Sequence, residues 1–178
     1  MKKILMLMMI HGLWLQPLFA QHINQTIMDT TLQQEVLIDT CDRIGLSGPV
    51  FGAFFQQEYA TYSPSEEVIQ QIGQQLNVYR ITIVMGSWCG DSQEQVPRFL
   101  KILDQLHFPE DQVTVICVDR KKKTIHADIQ PLAVQLVPTF IFYKDNTEAG
   151  RIIETPSETL EKDLLHILLN NLNFNNHK

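Results

Sequence analysis

Apolar and polar positions along the chain change period several times, and each change marks an element. Residues 78–86, "VYRITIVMG", and 112–119, "QVTVICVD", are dense in apolar and β-branched residues, which predicts two strands. A helix is expected between them from about Ser92 to Leu106. That length of strand, helix and strand is the spacing of a βαβ unit with parallel strands. After a further short helical stretch, residues 137–154, "VPTFIFYKDNTEAGRIIE", read as two strands around a turn at Asp145 and Asn146.

Helix starts carry their own marks. In "SPSEE", Ser63 suits a cap, Pro64 the first helical position and Glu66 the return half of a capping box, predicting a helix to about Leu76. In "TPSE", Thr155, Pro156 and Glu158 do the same for the last helix. Its apolar face is Leu160, Leu164, Ile167, Leu168 and Leu172, and Glu158 with Lys162 adds an i,i+4 pair. The chain ends on an Asn-rich stretch that reads as frayed.

Upstream, from Gln21 to Tyr62, the sequence is helical in flavour, punctuated by Gly45, Gly48, Pro49 and Gly52. Phe51, Phe54, Phe55, Tyr59 and Tyr62 recur at spacings of three and four, which reads as an amphipathic helix docked on the domain behind it. The predicted order is helix, strand, helix, strand, helix, hairpin, helix. The fold class is therefore α/β: a three-layer α/β/α sandwich with a central mixed sheet and an N-terminal helical extension.

The first twenty residues change the picture of where the chain works. Lys2 and Lys3 precede an apolar run from Ile4 to about Leu15, followed by Pro17 and the small Ala20. This is the pattern of a signal peptide cut before Gln21, and it predicts a periplasmic or secreted protein. The run is short for a bilayer and broken by His11 and Pro17, so no stable membrane anchor is expected after cleavage. The expected divisions are 1–20 signal peptide, 21–62 extension and 63–175 main domain. With 44% hydrophobic and 19% charged residues the composition is that of a soluble globular protein. Loss of Lys2 and Lys3 takes the formal charge from −6 to −8, a poor balance for nucleic acid binding.

Export makes the thiols the main chemical clue. Cys41, Cys89 and Cys117 are an odd number, so at least one is free or pairs with another molecule. Cys89, in "SWCGDS", sits where a predicted parallel strand meets a helix, so its sulfur faces the free N–H groups of the helix start. That position favours the nucleophilic thiolate, with Asp91 pulling the other way. Ser92, one turn on, can donate a hydrogen bond to the sulfur but cannot resolve a mixed disulfide. Cys117 lies inside a strand and is expected in the core. Cys41 is either a free thiol or a distant resolving partner.

These residues resemble the thioredoxin family over about Ser63 to Leu172. "WCGDS" stands where the family has Trp-Cys-Gly-Pro-Cys; Pro97 follows Cys89 by eight residues, where the family's active-site helix is kinked. "VPTF" matches the family's cis-proline signature at Pro138, with the hairpin and terminal helix following in order. "GSWCGDSQEQVPRF", "VDRKKK" and "ETPSETLEKDL" are similar to an exported thioredoxin-like group of Bacteroidetes-type bacteria. The resemblance implies a substrate groove of Trp88, Cys89, Val137 and Pro138. It departs from the family at Ser92, where the resolving cysteine is missing, and at Ile83, where the family buries an acid.

Because the second predicted strand runs parallel to the first, Asp119, Arg120, Lys121, Lys122 and Lys123 are expected near the same edge of the sheet as Cys89. Arg120 or a lysine there would offset Asp91, steady the thiolate or attract an acidic substrate. The leading expectation is monothiol exchange through Cys89 on disulfide-containing proteins or low-molecular-weight thiols, isomerase-like or deglutathionylation-like, with no metal and no organic cofactor. The other is a redox-inactive accessory module that keeps the groove for extended peptides.

Overall fold

The computed structural model of the chain describes residues 22–175, with side chains to residue 171. The predicted signal peptide and the Leu172 side chain lie outside the described residues. The elements are strands β1 (Gln25–Asp29) and β2 (Gln34–Cys41), helices α1 (Arg43–Leu46), α2 (Gly52–Thr61) and α3 (Glu66–Ile72), then strand β3 (Tyr79–Met85). Helix α4 (Gly90–Gln105), strands β4 (Val113–Cys117), β5 (Thr139–Lys144) and β6 (Thr147–Ile153), and helix α5 (Leu160–Asn175) complete the chain.

One six-stranded sheet runs in the order β1-β2-β4-β3-β5-β6. Only β3 and β4 are parallel, with Ile83 opposite Val115 and Met85 opposite Cys117; the other neighbours are antiparallel. The mixed sheet and βαβ unit are as the hydrophobic pattern predicts. Both central residues of the β5–β6 turn, Asp145 and Asn146, have positive φ, the mirror-image turn that matches strand twist.

Alternation in β3 divides its side chains. Ile81, Ile83 and Met85 enter the main core with Val96, Phe99, Leu100 and Leu103 of α4 and Leu160, Leu164 and Leu168 of α5. Phe99 packs between Phe140 and Phe142, with ring centroids 4.6 and 5.9 Å away. Val84 points to the opposite face, where the segment between β4 and β5 covers it with Ile129, Leu132 and Val134. That segment holds a single turn of 3-10 helix at Gln130–Leu132. The three layers are therefore uneven, with the long helices gathered on one face.

The N-terminal extension differs from the helical expectation. It opens with an antiparallel hairpin, and helix begins only at Arg43. The physical reason is long-range pairing. Val36, Leu37 and Ile38 form a buried β-branched and apolar run, and Asp39, Thr40 and Cys41 pair with Cys117, Ile116 and Val115 of β4. Asp29 turns the chain by accepting from the N–H groups of Thr31 and Leu32. Helix α2 then docks on α4 as its aromatic spacing predicts: Phe51 is fully buried and Phe55 stacks on Tyr59 at 5.6 Å. The Tyr59 hydroxyl donates to Asp104 and that of Tyr62 to Glu161. Phe54 breaks the pattern and is 42% exposed.

Both capping assignments move. Ser65, not Ser63, precedes the first residue of α3; no side chain caps it, and the Ser65 N–H donates to Glu161. Helix α5 starts at Leu160, with Asp163 reaching back to accept from the N–H groups of Ser157 and Glu158. The Glu158–Lys162 ion pair forms at 3.0 Å.

Candidate active site around Cys89

β3 ends at Met85, and the chain crosses to α4 through Gly86, Ser87 and Trp88. A Cβ on Gly86 would lie 2.5 Å from the Trp88 indole, so the ring's seat requires glycine there. The indole N–H donates to the Val118 carbonyl at 2.8 Å, fixing Trp88 against the end of β4. Ser87 is held from both sides: its Oγ accepts from the Leu37 N–H of β2 at 2.9 Å, and its carbonyl accepts from Gln93 at 2.8 Å.

Cys89 is the N-cap residue of α4, with extended backbone and no side-chain hydrogen bond capping the helix. Cys89 thus opens a helix whose first N–H groups have no partner within it. Cys89 is half-buried, and Sγ donates to the Val137 carbonyl at 3.1 Å. The Val137–Pro138 peptide bond is cis. Cys89, Trp88 and Val137 share one apolar cluster with Val84 and Val118, so the structure brings together the groove residues that the sequence singled out.

Three other expectations fare differently. Ser92 is fully buried, but its Oγ accepts from the Gly86 N–H at 3.2 Å and makes no hydrogen bond to the sulfur. A hydroxyl pinned beneath the turn supports the loop instead of the thiol. Arg120 is exposed in the tight turn after β4, which Asp119 closes by accepting from the N–H groups of Lys121 and Lys123. Through Val118 this basic turn borders Trp88, yet Arg120 makes no ion pair among the described residues, so the offset of Asp91 is not formed.

Cys41 is not brought to Cys89. It is buried in the main core on β2, in register with Val115, two strands from β3. Two interstrand spacings amount to about 10 Å, beyond the roughly 7 Å that a disulfide spans between Cα atoms. Cys41 lies beside Cys117 instead. A hydrogen bond with Cys41, then burial, then the nearby Asp39 charge push the Cys117 thiol well above its ordinary range, which keeps it protonated and inert. Cys117 is a core residue, as expected, and Ile83 is fully buried.

Sequence reasoning overlooked Asp39. It is 1% exposed and has positive φ, and its Oδ1 accepts from the N–H groups of Ile125, His126 and Ala127 at 2.9 to 3.0 Å. Burial works against its charge, but these three donors and His126 outweigh it and hold the carboxyl below its ordinary value. The bond ties β2 to the segment that leads into Val137 and Pro138. Its signal was present: an aspartate inside the apolar run "VLIDTC" calls for buried partners.

Among the described residues no group of three or more histidines, cysteines or acids could hold a metal ion. No helix among them is long and apolar enough to cross a membrane. A family model described as thioredoxin matches residues 54–164. The chain belongs to the thioredoxin family. Solved structures similar to it include thioredoxin from Fasciola hepatica, at 19% identity and TM-score 0.37, covering 57% of this chain and 88% of that one. Thioredoxin O2 from Arabidopsis thaliana, in its oxidized state, matches at 17% and 0.36, covering 58% and 83%. A protein of unknown function from Pseudomonas aeruginosa matches at 16% and 0.41, covering 66% and 76%. A comparison with curated proteins finds no match.

Proposed function

We propose that this protein is an exported monothiol exchange protein that acts on disulfides through Cys89. Membership of the thioredoxin family supports a general thiol–disulfide redox role. The observation that carries the monothiol reading is the position of Cys89 as uncapped N-cap of α4, beside the cis Val137–Pro138 bond, with buried Ser92 one turn on.

The chemistry balances without a second protein thiol. The Cys89 thiolate donates its electron pair to one sulfur of a substrate disulfide; that S–S bond breaks, and the other sulfur leaves as a thiolate. Cys89 is then joined to the substrate as a mixed disulfide. An external thiolate, or another thiol of the same substrate, attacks that bond and frees Cys89. The first route is deglutathionylation-like or reductive at the expense of an outside thiol; the second is isomerisation. No described group accepts from the Val137 N–H, which leaves that backbone free to pair with an extended substrate chain. Secretion or periplasmic location follows from the N-terminal pattern and belongs to the same proposal.

The test is mass spectrometry of the chain, without its first twenty residues, mixed with oxidised glutathione. A single adduct, absent in Cys89→Ser and present in Cys41→Ser, is expected. No adduct at any pH, together with peptide binding unaffected by Cys89→Ser, would replace exchange by a redox-inactive peptide-binding role.

A further inference from the structure

The hairpin that sequence reasoning overlooked makes a second wall beside the nucleophile. β2 runs antiparallel to β4, so its first residues extend beyond the edge where β3 ends, as the Leu37–Ser87 bond shows. Between this wall and the start of α2 lies a cavity of about 390 Å³, bordered by Glu35, Val50 and Phe54 over a floor of Ser87 and Gln93. A second cavity of about 380 Å³ shares Phe54 and Gln93 with the first and continues past Gly90 to Glu94 and Arg98. Together they form one trough across the first turn of α4. A Cβ on Gly90 would meet nothing within 4 Å, so space is open immediately beside the sulfur-bearing residue.

We propose that this trough docks the polypeptide that carries the disulfide, and that it selects a segment with basic residues flanking the cysteine. The inference rests on exchange at Cys89 and names its substrate class. Continuity places the occupant: the trough reaches Gly90, the residue next to Cys89, and the hairpin's Glu35 forms one of its walls. Its chemistry selects the occupant. Glu58 and Glu94 share Arg98, at 2.7 and 2.5 Å, so the one cation there is already doubly engaged. Glu35 has no ion pair among the described residues, and Asp91 adds a carboxylate to the first turn. The wall therefore carries net negative charge with an exposed aromatic ring at its centre, which suits an extended chain bearing lysine or arginine, the ring offering a cation–π contact. An anionic low-molecular-weight thiol finds no free cation on this side.

The test uses two peptides, alike except that the residues flanking one cysteine are lysines in the first and glutamates in the second, each joined to thionitrobenzoate. Attack by Cys89 at the peptide sulfur releases thionitrobenzoate, whose absorbance gives the rate. A small neutral hydroxyethyl disulfide of the same leaving group reads Cys89 itself, and all peptide rates are divided by it. The basic peptide is expected to react about tenfold faster than the acidic one at low salt. That preference should shrink in high salt and collapse in Glu35→Lys, while Phe54→Ala lowers the divided rate of the basic peptide. Equal rates overturn the inference. So does a faster acidic peptide, which would place selection at the basic turn after β4. Failure of exchange itself appears as no release from the neutral disulfide; fluorescently labelled peptides with serine for cysteine then decide docking alone, tighter binding of the basic one supporting the trough and equal binding overturning it.

Discussion

The backbone N–H of Leu37 donates to Ser87 Oγ at 2.9 Å, tying a strand of the N-terminal extension to the turn that presents Cys89. Both residues are buried, so the donor has no water to turn to. Ser87→Ala should therefore cost about 1–3 kcal/mol, the usual range for a buried donor left unpaired. Because Gln93 still holds the Ser87 carbonyl, the fold should survive. Denaturant titration measures the loss, and the adduct-formation rate of Cys89 measures whether the turn has loosened. A midpoint unchanged from the parent protein would mean that β2 does not brace the site.

Asp39 performs the same bracing on the other side. Three N–H groups converge on one charged acceptor, so Asp39→Ala should destabilise by about 3 kcal/mol or more. The carboxyl's folded pKa lies below its ordinary value of 3.8. A depressed carboxylate contributes stability that is fully present above the unfolded value and is lost as pH falls through the folded one. Asp39 thus helps the native state above about pH 4, and its share disappears in more acid solution. In Asp39→Asn the acid limb of the stability–pH curve should be shallower by that share, while Asp42 and Glu161, also held below their ordinary values, retain theirs. An acid limb of unaltered slope would show that Asp39 titrates alike in both states.

The two core thiols should be silent. Cys117 is fully buried and Cys41 nearly so, and they lie in the core on the helix-bearing face, away from Cys89. Native alkylation should label one cysteine quickly, with no fast label in Cys89→Ser. Turnover with an outside thiol should be unchanged in Cys41→Ser; its loss would restore Cys41 as the resolving residue.

The parts that sequence reveals are those whose signals are local. The β3–α4–β4 unit, the Asp145–Asn146 turn and the Cys89, Trp88 and Pro138 constellation depend on periodicity, turn chemistry and fixed spacing. The β1–β2 hairpin is not legible as strand because its identity is decided by pairing with β4, more than seventy residues away in sequence. Gly45, Gly48, Pro49 and Gly52 correctly mark breaks, but they say nothing about the structure before them. The same distance hid Asp39 and the Leu37–Ser87 bond. The role of Ser92 is hidden for a shorter-range reason: its hydroxyl accepts from the Gly86 N–H, a contact across the strand-to-helix turn that sequence does not place.

Ser92 also gives the most direct test of what the missing cysteine does. It is fully buried, one turn from Cys89 on the same helix, and pinned under Gly86. Ser92→Cys replaces one small side chain by another of similar shape and sets a second sulfur in that pocket. The Gly86 N–H exchanges an oxygen acceptor for a weaker sulfur one, a loss of about 1 kcal/mol. With two sulfurs, the mixed disulfide on Cys89 can be attacked from within, releasing the substrate as a thiol and leaving a disulfide between residues 89 and 92. The variant should then catalyse net reduction of a protein disulfide such as that of insulin faster than the parent protein, with dithiothreitol as the electron source, because the parent depends on the outside thiol to release each adduct. The gain should be incomplete, because the buried Ile83, at the position where the resemblance implies an acid, cannot accept a proton from the new thiol. Equal reduction by parent and variant would show that Ser92 does not limit release, and that resolution already comes from elsewhere.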